Sequence, residues 1–339
     1  MLERTSRPWA GPAAVVLLTA AAMLAGAASP GAAQQARGDV VVSVDWLARH
    51  IDDPELVLLH VGREEAYGGE HIPGARHIGL NEISAPEDHD AGTGLSLQMP
   101  APETLAAVLE GLGIGDGSRV VVYWADDWVS AATRVLLTLD WIGLGERASI
   151  LDGGMPAWKA AGHPVTDDAP SPVRPASLTP RVRTGLIVSA RWLDEHRSDP
   201  GYAVVDARSA SFYDGLRASN LHRQPVRKGH IPGAVNIPYN ELWADDLTLR
   251  PRAELRAIFE AAGVRPGQTV VGYCHLGQFA TAMLLGARVL GHDVKLYDGS
   301  FQEWGSREEL PVRGPGSETY PDGGETHPDG GEAHPDRSE

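Results

Sequence analysis

One unit of sequence is written twice along this chain of 339 residues, and the repeat is the strongest constraint on what the chain can fold into. Four short blocks of the first half return in the same order in the second half. They are the apolar runs 57–63 and 203–208, the His-Ile-Pro-Gly-Ala segments 71–75 and 230–234, the runs 119–124 and 269–274, and the Asp-Gly segments 151–155 and 297–301. Because a repeated block order implies a repeated structural unit, the chain is predicted to form two domains of the same architecture.

Within each unit, short apolar runs alternate with stretches of helical periodicity. The runs 120–123 and 270–273 lack polar alternation, which is typical of parallel strands buried on both faces. Residues 105–112 and 255–262 have the pattern of amphipathic crossover helices, each followed by a glycine that suits a helix end. This alternation predicts an α/β fold of two tandem domains, each with a mostly parallel sheet flanked by helices.

The two ends of the chain do not share this pattern. Residues 1–33 combine early arginines, an uncharged apolar run and small residues before Gln34, which is typical of a secretory signal peptide. We therefore expect an exported protein, periplasmic or extracellular, with no stable membrane insertion once the signal is removed; an uncleaved membrane anchor is the alternative. The acidic repeats of residues 314–339 predict a disordered tail. The remaining predicted segments are a first domain at 39–166, a linker rich in proline at 167–185 and a second domain at 186–313.

Cys274 is the only cysteine in the chain, and it follows a strand-like run where a helix-like run begins. In α/β folds, ligands gather at the C-terminal ends of the strands. The free amides and the dipole of a helix N-terminus stabilise a thiolate there and also bind anions. A single cysteine in an exported protein makes no internal disulfide, so Cys274 is interpreted as a reactive thiol with a lowered pKa, or as an intermolecular linker.

The charge of the chain limits its partners. A net charge of −16 argues against nucleic-acid binding, which needs a basic surface. An anionic substrate then needs local cations to overcome the overall field. Residues 216–228 contain several basic residues and no acid, and we expect Arg223, Arg227 and Lys228 to overhang Cys274 and to bind anions. A solvated surface loop or an interdomain contact is the alternative.

These features together resemble a family. With an Asp-x-Arg strand end, two His-Ile-Pro-Gly-Ala segments and a Cys-x-x-Gly loop before a helix, residues 39–313 resemble a tandem-domain rhodanese (thiosulfate sulfurtransferase). The resemblance implies an α/β fold, a catalytic cysteine in the second domain and a persulfide intermediate. We separately expect neither a cofactor nor a metal. It assigns Cys274 as the sulfur acceptor and Asp206 as a supporting residue, with Arg208 binding substrate. It assigns the anion cradle to the loop residues His275, Leu276, Gly277, Gln278 and Phe279.

The loop departs from the family pattern in ways that leave the donor open. Thiosulfate enzymes of the family typically have basic residues at the second and third loop positions, where this chain has His275 and Leu276. Mercaptopyruvate enzymes typically have glycine at the second position. Phe279 stands where threonine or arginine is usual. His275 is expected to act as a partial cation or hydrogen-bond donor beside Cys274, with a solvent-facing side chain as the alternative.

The first half of the chain is expected to be structural. Trp124 stands in the position of the cysteine, and His60 stands where the second half has Asp206. The carboxylates that follow Trp124 would repel thiosulfate. His71 and His230 occur in the same repeated turn of both halves, so a structural role is predicted for each.

The expected reaction is a double displacement. Cys274 attacks the sulfane sulfur of thiosulfate, sulfite leaves, and a thiophilic acceptor such as cyanide or a small thiol takes the sulfur. The alternatives are 3-mercaptopyruvate as donor and a non-enzymatic exported persulfide carrier or redox sensor. A phosphatase is disfavoured because Ala280 stands where a Cys-x5-Arg loop needs arginine. The oligomeric state is not predicted.

Overall fold

The computed structural model describes Met1 and residues 40–87, 94–125, 129–169, 172–219 and 226–315. The chain divides into two units, residues 1–37 and 38–339, and the architecture below is that of the second unit. The predicted signal peptide beyond Met1, residues 316–339 of the predicted tail, and Arg223 lie outside the described residues. Within the described part of the chain, no helix is both long enough and apolar enough to cross a bilayer.

The first half forms a five-stranded sheet with helices around it. Its strands are β1 (Val41–Val42), β2 (Leu56–Val61), β3 (Arg76–Ile78), β4 (Arg119–Trp124) and β5 (Ala148–Leu151). They are arranged in the order β1-β5-β4-β2-β3, and all of their pairings are parallel. The helices are α1 (Val44–His50), α2 (Glu64–Gly69), α3 (Pro102–Gly111), α4 (Val129–Leu139) and α5 (Gly154–Ala160).

The second half repeats this arrangement. Its strands are β6 (Ile187–Val188), β7 (Tyr202–Asp206), β8 (Val235–Asn236), β9 (Thr269–Tyr273) and β10 (Val294–Tyr297), in the parallel order β6-β10-β9-β7-β8. The helices are α6 (Ala190–His196), α7 (Ala210–Tyr213), α8 (Arg252–Ala261), α9 (Gln278–Leu290) and α10 (Ser300–Ser306). The predicted fold class is confirmed: each half is an α/β layer with a parallel sheet.

Local sequence explains where these elements begin and end. Ser43 and Ser189 cap α1 and α6, since each side chain accepts the backbone N–H three residues later, at 3.1 and 3.2 Å. Helix α3 starts three residues before the predicted bound because Pro102 suits a first helical turn. Gly113 and Gly263 follow α3 and α8 with φ of 71° and 89°, as predicted for glycines at helix ends.

The core joins the two halves. Strands β4 and β9 lie at the centres of their sheets and are buried along most of their length, as the unbroken apolar runs predicted. Helix α4 is buried along its whole length because it covers the first sheet and also packs against α9 of the second half. The C-terminal ends of β4 and β9, where the cysteine position lies, are therefore close to the interface between the halves.

The predicted linker lies against the first half in its described part. The backbone N–H of Leu178 donates to the carboxylate of Glu110 at 2.8 Å, and Leu178 is 5% exposed. Further along, the backbone N–H groups of Arg181 and Arg183 donate to the carbonyls of Ile142 and Trp141, just after α4, at 2.9 and 2.8 Å. These contacts tie the connection to the surface of the first half.

Candidate active site

Cys274 is the first residue after β9, at the C-terminal edge of the second sheet, and it is 1% exposed. The chain turns at Gly277, whose φ of 83° is a left-handed conformation that glycine adopts without steric cost. A Cβ on Gly277 would lie 3.0 Å from the carbonyl oxygen of Asp298. Both the backbone and the available space therefore require glycine at this position.

A ring of backbone amides surrounds the sulfur. The N–H groups of Leu276, Gly277, Phe279 and Ala280 donate hydrogen bonds to Sγ of Cys274. They belong to the loop and to the first turn of α9, where helical N–H groups have no partner within the helix. Such a concave arrangement of amides stabilises negative charge on a sulfur atom. The structure thus places donors at Sγ from the predicted loop and from one residue beyond it.

Burial acts against this ring. Removal from water raises the pKa of the Cys274 thiol, and the four amide hydrogen bonds lower it without cancelling the effect, so the pKa is above its ordinary value. The expectation of a lowered pKa is therefore wrong for the free protein. The physical reason is that a thiolate at a site with 1% exposure loses nearly all of its hydration. The amides limit this cost and leave the sulfur protonated at neutral pH.

The turn that begins α10, directly after strand β10, forms hydrogen bonds with the backbone of Cys274. Ser300 Oγ accepts the backbone N–H of Cys274 at 3.2 Å and donates to the carbonyl of Tyr297 at 3.0 Å. The carbonyl of Cys274 accepts the N–H of Phe301 at 3.0 Å. Ser300 is fully buried with a φ of 51°, which is uncommon for a residue with a side chain. Sequence reasoning missed Ser300, although the repeated Asp-Gly block at 297–301 was the signal that pointed to it.

The matching place in the first half is filled differently. Gly154 occupies the position of Ser300 and has a similar φ of 56°, but a Cβ there would lie 2.6 Å from the ring of Trp124. Trp124 is fully buried and packs edge-on against Trp243 at 5.9 Å. The first half therefore has a bulky ring in the position of the cysteine and a glycine in the position of the serine, because the ring leaves no space for a side chain there. This agrees with the predicted structural role of the first half.

A buried ion pair stands at the C-terminal end of β7, beside β9. Asp206 and Arg208 are 0% and 3% exposed, and Nε and Nη2 of Arg208 donate to the carboxylate at 3.0 and 2.5 Å. Arg208 Nη2 also donates to the carbonyl of Gly229 at 2.8 Å, and the guanidinium lies 4.0 Å from the ring centre of Phe301. Asp206 thus orients Arg208, which is the geometry that its predicted supporting role requires.

Arg208 stays charged beside the cysteine. Burial alone would lower the pKa of the guanidinium, but the Asp206 carboxylate, with smaller contributions from Tyr273 and Cys274, raises it above its ordinary value. The interaction is mutual, so a cationic Arg208 also favours the ionised form of Cys274. Direct contact between Arg208 and a donor stays a prediction.

His60 is the first-half counterpart of Asp206. It is fully buried, and its Nδ1 lies 3.0 Å from the hydroxyl of Tyr123. Burial, with smaller contributions from nearby His77 and His71, lowers the pKa of His60 to about 4. Among the residues that the structure describes, Nε2 of His60 has no hydrogen-bond partner. The first half therefore holds a neutral imidazole where the second holds an ion pair.

His71 and His230 make equivalent contacts in the two halves. Their Nδ1 atoms lie 2.9 and 2.8 Å from the carbonyls of Tyr67 and Tyr213, and each imidazole stacks on the ring of that tyrosine. The same geometry occurs with and without a nearby cysteine. This supports the structural role predicted for both histidines.

Aromatic side chains lie around the loop after Cys274. His275 is 4% exposed, so the solvent-facing alternative is wrong; it packs edge-on against Phe212 at 4.6 Å between ring centres. Phe279 stacks on Tyr239, also at 4.6 Å. Two side chains of the loop, His275 and Phe279, therefore pack against aromatic rings.

Of the two predicted loop residues that remain, Gln278 and Leu276, the first makes a contact between the two halves. Gln278 Nε2 donates to the hydroxyl of Ser130 on α4 at 3.0 Å. Leu276 is half-buried. Both side chains stay predicted substrate contacts.

The predicted basic segment separates into residues with different neighbours. The Arg227 guanidinium donates to three carbonyls at the end of α10, those of Gly305, Trp304 and Arg307, at 3.1, 3.1 and 2.5 Å. The structure thus uses Arg227 to anchor the chain, and Lys228 is exposed. Substrate binding by Arg227, Lys228 and Arg223 stays a prediction, and Arg223 lies outside the described residues.

Arg217, another basic residue of this segment, contacts an aromatic side chain that packs on the loop. Its guanidinium lies 5.0 Å from the ring centre of Phe212, which in turn packs against His275. Sequence reasoning noted Arg217 only as part of the segment. Within the described ranges, no group of three or more His, Cys, Asp and Glu side chains is placed to hold a metal ion.

A thiol within a ring of amides, at a strand-to-helix turn on the edge of a parallel sheet, defines a class of α/β proteins that form covalent intermediates on sulfur. Comparison with known proteins narrows this class. The rhodanese-like domain family matches residues 43–161 and again residues 189–307. The chain belongs to the rhodanese family, with two rhodanese-like domains in tandem.

Relatives with curated names share most of this chain. It is 33% identical over 285 residues to 3-mercaptopyruvate sulfurtransferase of Escherichia coli (strain K12), covering 80% of this chain and 96% of that protein. It is 30% identical over 302 residues to the mitochondrial thiosulfate/3-mercaptopyruvate sulfurtransferase 1 of Arabidopsis thaliana, covering 80% and 77%. The solved anaerobic ergothioneine biosynthesis enzyme from Chlorobium limicola has a TM-score of 0.72 at 23% identity over 81% of this chain and 70% of that one, a likeness of fold alone.

Proposed function

We propose that this protein is a sulfurtransferase that carries sulfur from a small anionic donor as a persulfide on Cys274. The observation that carries the proposal is the ring of four N–H donors around Sγ. A persulfide places its charge on the outer sulfur, and the same amides that favour a thiolate favour that anion. The names of the relatives in Escherichia coli and Arabidopsis thaliana support the same activity.

The first half-reaction forms one S–S bond and breaks another bond to sulfur. With thiosulfate, Cys274 first loses its thiol proton to solvent, the thiolate then attacks the sulfane sulfur, and sulfite leaves with the electron pair of the old S–S bond. Because sulfite is a stable anion, its departure needs stabilised charge and no proton on carbon. The amide ring and cationic Arg208 supply that stabilisation. The second half-reaction transfers the outer sulfur to cyanide or a thiol and restores Cys274.

The second candidate donor is 3-mercaptopyruvate. The loop from Cys274 to Phe279 has no lysine or arginine, and a monoanion needs less cationic support than the thiosulfate dianion. Attack on its sulfur breaks a C–S bond, and the leaving carbon must take a proton to become pyruvate. The raised pKa of Cys274 favours this donor, since the thiol proton itself is available for that transfer. Thiosulfate remains our first choice because its leaving group, sulfite, is a stable anion that needs no proton transfer to carbon.

Intact-mass measurement tests the half-reaction. Incubation with thiosulfate should add one sulfur atom to the protein, and cyanide should remove it. Cys274→Ser should abolish the addition, while Arg288→Met, remote from the loop, should retain it. No mass gain with either donor would contradict the proposal. A steady-state rate tenfold higher with 3-mercaptopyruvate than with thiosulfate, about 1.4 kcal/mol in barrier, would reverse the order of donors. Loading without turnover to cyanide or small thiols would indicate a carrier.

We also propose that the protein is exported, on the signal-like composition of residues 1–33. Fractionation of cells that express the full chain should place it outside the cytoplasm, with an N-terminus near Gln34. A full-length protein in the cytoplasmic fraction would contradict this.

A further inference from the structure

Arg134 lies in the first half of the chain, and the carboxylate that neutralises its charge lies in the second half. The arginine is in the middle of α4 and is fully buried. Its Nη1 donates to the Asp298 carboxylate at 2.7 Å, and its Nη2 donates to the carbonyl of Leu97. A buried charge is retained only where partners compensate for its lost hydration. Arg134 therefore links a helix and a loop of the first half to one carboxylate of the second.

All three oxygens of Asp298 accept hydrogen bonds from residues of the first half. Its second carboxylate oxygen accepts the backbone N–H of Met99 at 2.7 Å, and its carbonyl accepts Nε2 of Gln98 at 3.1 Å. Four residues later, the Oε1 atom of Gln302 accepts the N–H of Ser96 at 2.9 Å. The segment 96–99 is thus fastened to the turn that begins α10.

This turn is the one that supports the cysteine. Asp298 stands two residues before Ser300, whose hydroxyl accepts the N–H of Cys274. A Cβ on Gly277 would lie 3.0 Å from the Asp298 carbonyl oxygen and 3.2 Å from Nη1 of Arg134. The ion pair therefore packs directly against the backbone of one of the four amide donors to Sγ.

Backbone strain marks the same place. Among the described residues other than glycine, three have left-handed φ values: Leu97 at 56°, Leu247 at 63° and Ser300 at 51°. Two of these three, Leu97 and Ser300, lie on either side of the Arg134–Asp298 pair. Strained backbone of this kind persists only where the surrounding contacts hold it, and it concentrates at functional sites.

We propose that Arg134 is a positioning residue for the sulfur-binding ring: through Asp298 it holds Gly277 and Ser300 in the geometry that points amides at Cys274. The half without a cysteine then contributes to activity indirectly, through this contact with Asp298. This deepens the proposed function and rests on it. The competing explanation is that Arg134 only holds the two halves together.

Arg288 provides a matched control for that explanation. It lies in α9 of the second half and forms an ion pair with Asp140 of the first half, at 3.3 Å. Asp140 is also paired with Arg183 at 2.6 Å, so removing Arg288 leaves that carboxylate compensated. Arg134→Met and Arg288→Met each remove a cation from the contact between halves, and only the first touches Asp298.

The test measures the reactivity of Cys274 and the rate of sulfur transfer separately. Alkylation of Cys274 by iodoacetamide across a pH series reports the amide ring without any sulfur donor. Arg134→Met should shift this pH profile and lower kcat for sulfur transfer roughly 10- to 100-fold, as misplacement of reacting groups does, with a smaller change in KM. Arg288→Met should leave both readouts within about twofold of the original protein, and Arg134→Lys should recover part of the loss.

Two results would overturn the proposal. One is a folded Arg134→Met protein with the original alkylation profile and the original kcat. The other is an equal change in Arg134→Met and Arg288→Met. If Arg134→Met does not fold, the double variant with Asp298→Asn removes the unpaired carboxylate and allows the same comparison. If the original protein moves sulfur from neither donor, the proposed function fails, and the alkylation profiles still decide the role of Arg134.

Discussion

The buried imidazole of His60 predicts an acid-sensitive first half. Its pKa falls from 6.5 in an unfolded chain to about 4 in the fold, chiefly through burial and then through His77 and His71. A group with a depressed pKa stabilises the fold fully above its unfolded pKa and loses that contribution as pH falls toward its folded pKa. The affected window is therefore from about pH 6.5 down to about pH 4.

The size of the effect follows from the shift. At about 1.4 kcal/mol per pKa unit, the difference between 6.5 and about 4 corresponds to about 3 kcal/mol of unfolding free energy lost across the window. That is a large fraction of the roughly 5–15 kcal/mol by which domains are stable. Because His60 is fully buried, solvent screening does not reduce this value strongly.

Urea unfolding at several pH values between 4 and 7 measures this loss of unfolding free energy. His60→Asn has no imidazole to titrate at this position. The slope of its unfolding free energy against pH should therefore be smaller than that of the original protein, by up to about 1.4 kcal/mol per pH unit. Tyr123→Phe is the control: it removes the 3.0 Å contact to Nδ1 and keeps the titrating group, so it should lower stability at every pH and retain the slope. Equal slopes in the original protein and His60→Asn would refute the reasoning.

Three further predictions concern the second half. Asp206→Asn leaves Arg208 buried without its carboxylate and should lower the unfolding free energy by about 3 kcal/mol in urea; a loss below about 1 kcal/mol would contradict the pairing argument. Since burial raises the pKa of Cys274, its iodoacetamide alkylation rate should keep rising above neutral pH, and a plateau below pH 7 would count against this assignment. Gly277→Ala and Gly263→Ala should each lower the unfolding free energy by about 1 kcal/mol, because each residue has a left-handed backbone. Only Gly277→Ala should impair sulfur transfer, because a Cβ at Gly263 meets nothing within 4 Å. Equal activity in the two variants would argue against a tight loop.

The site shows which residues sequence reasoning reaches and which it does not. Cys274 and Gly277 follow from local order, since a strand, a short loop with glycine and a helix are encoded by neighbouring residues. Ser300 lay within a recognised repeat, but its hydrogen bond to the cysteine depends on the parallel pairing of β9 with β10. Arg134 carried no sequence signal at all, because its partner Asp298 is 164 positions away.

Charge and burial were harder still to predict. Nothing in the sequence indicated that Arg227 of the basic segment donates to carbonyls at the end of α10, and anion binding by that segment stays a prediction. The amides at Cys274 were expected to dominate its pKa, and burial outweighs them. Both outcomes depend on how much water each group keeps, which no local pattern of residues records.

By itself, the sequence determined that this chain contains the same α/β unit twice and that only the second unit places a thiol between a strand and a helix, because periodicity and turn residues act over short distances. The tertiary structure alone decided that the first half of the chain is joined to the second half through the ion pair of Arg134 and Asp298. It also decided that the thiol lies out of water. Burial and long-range ion pairs arise only once distant segments pack together, so they belong to the fold and not to any stretch of the chain.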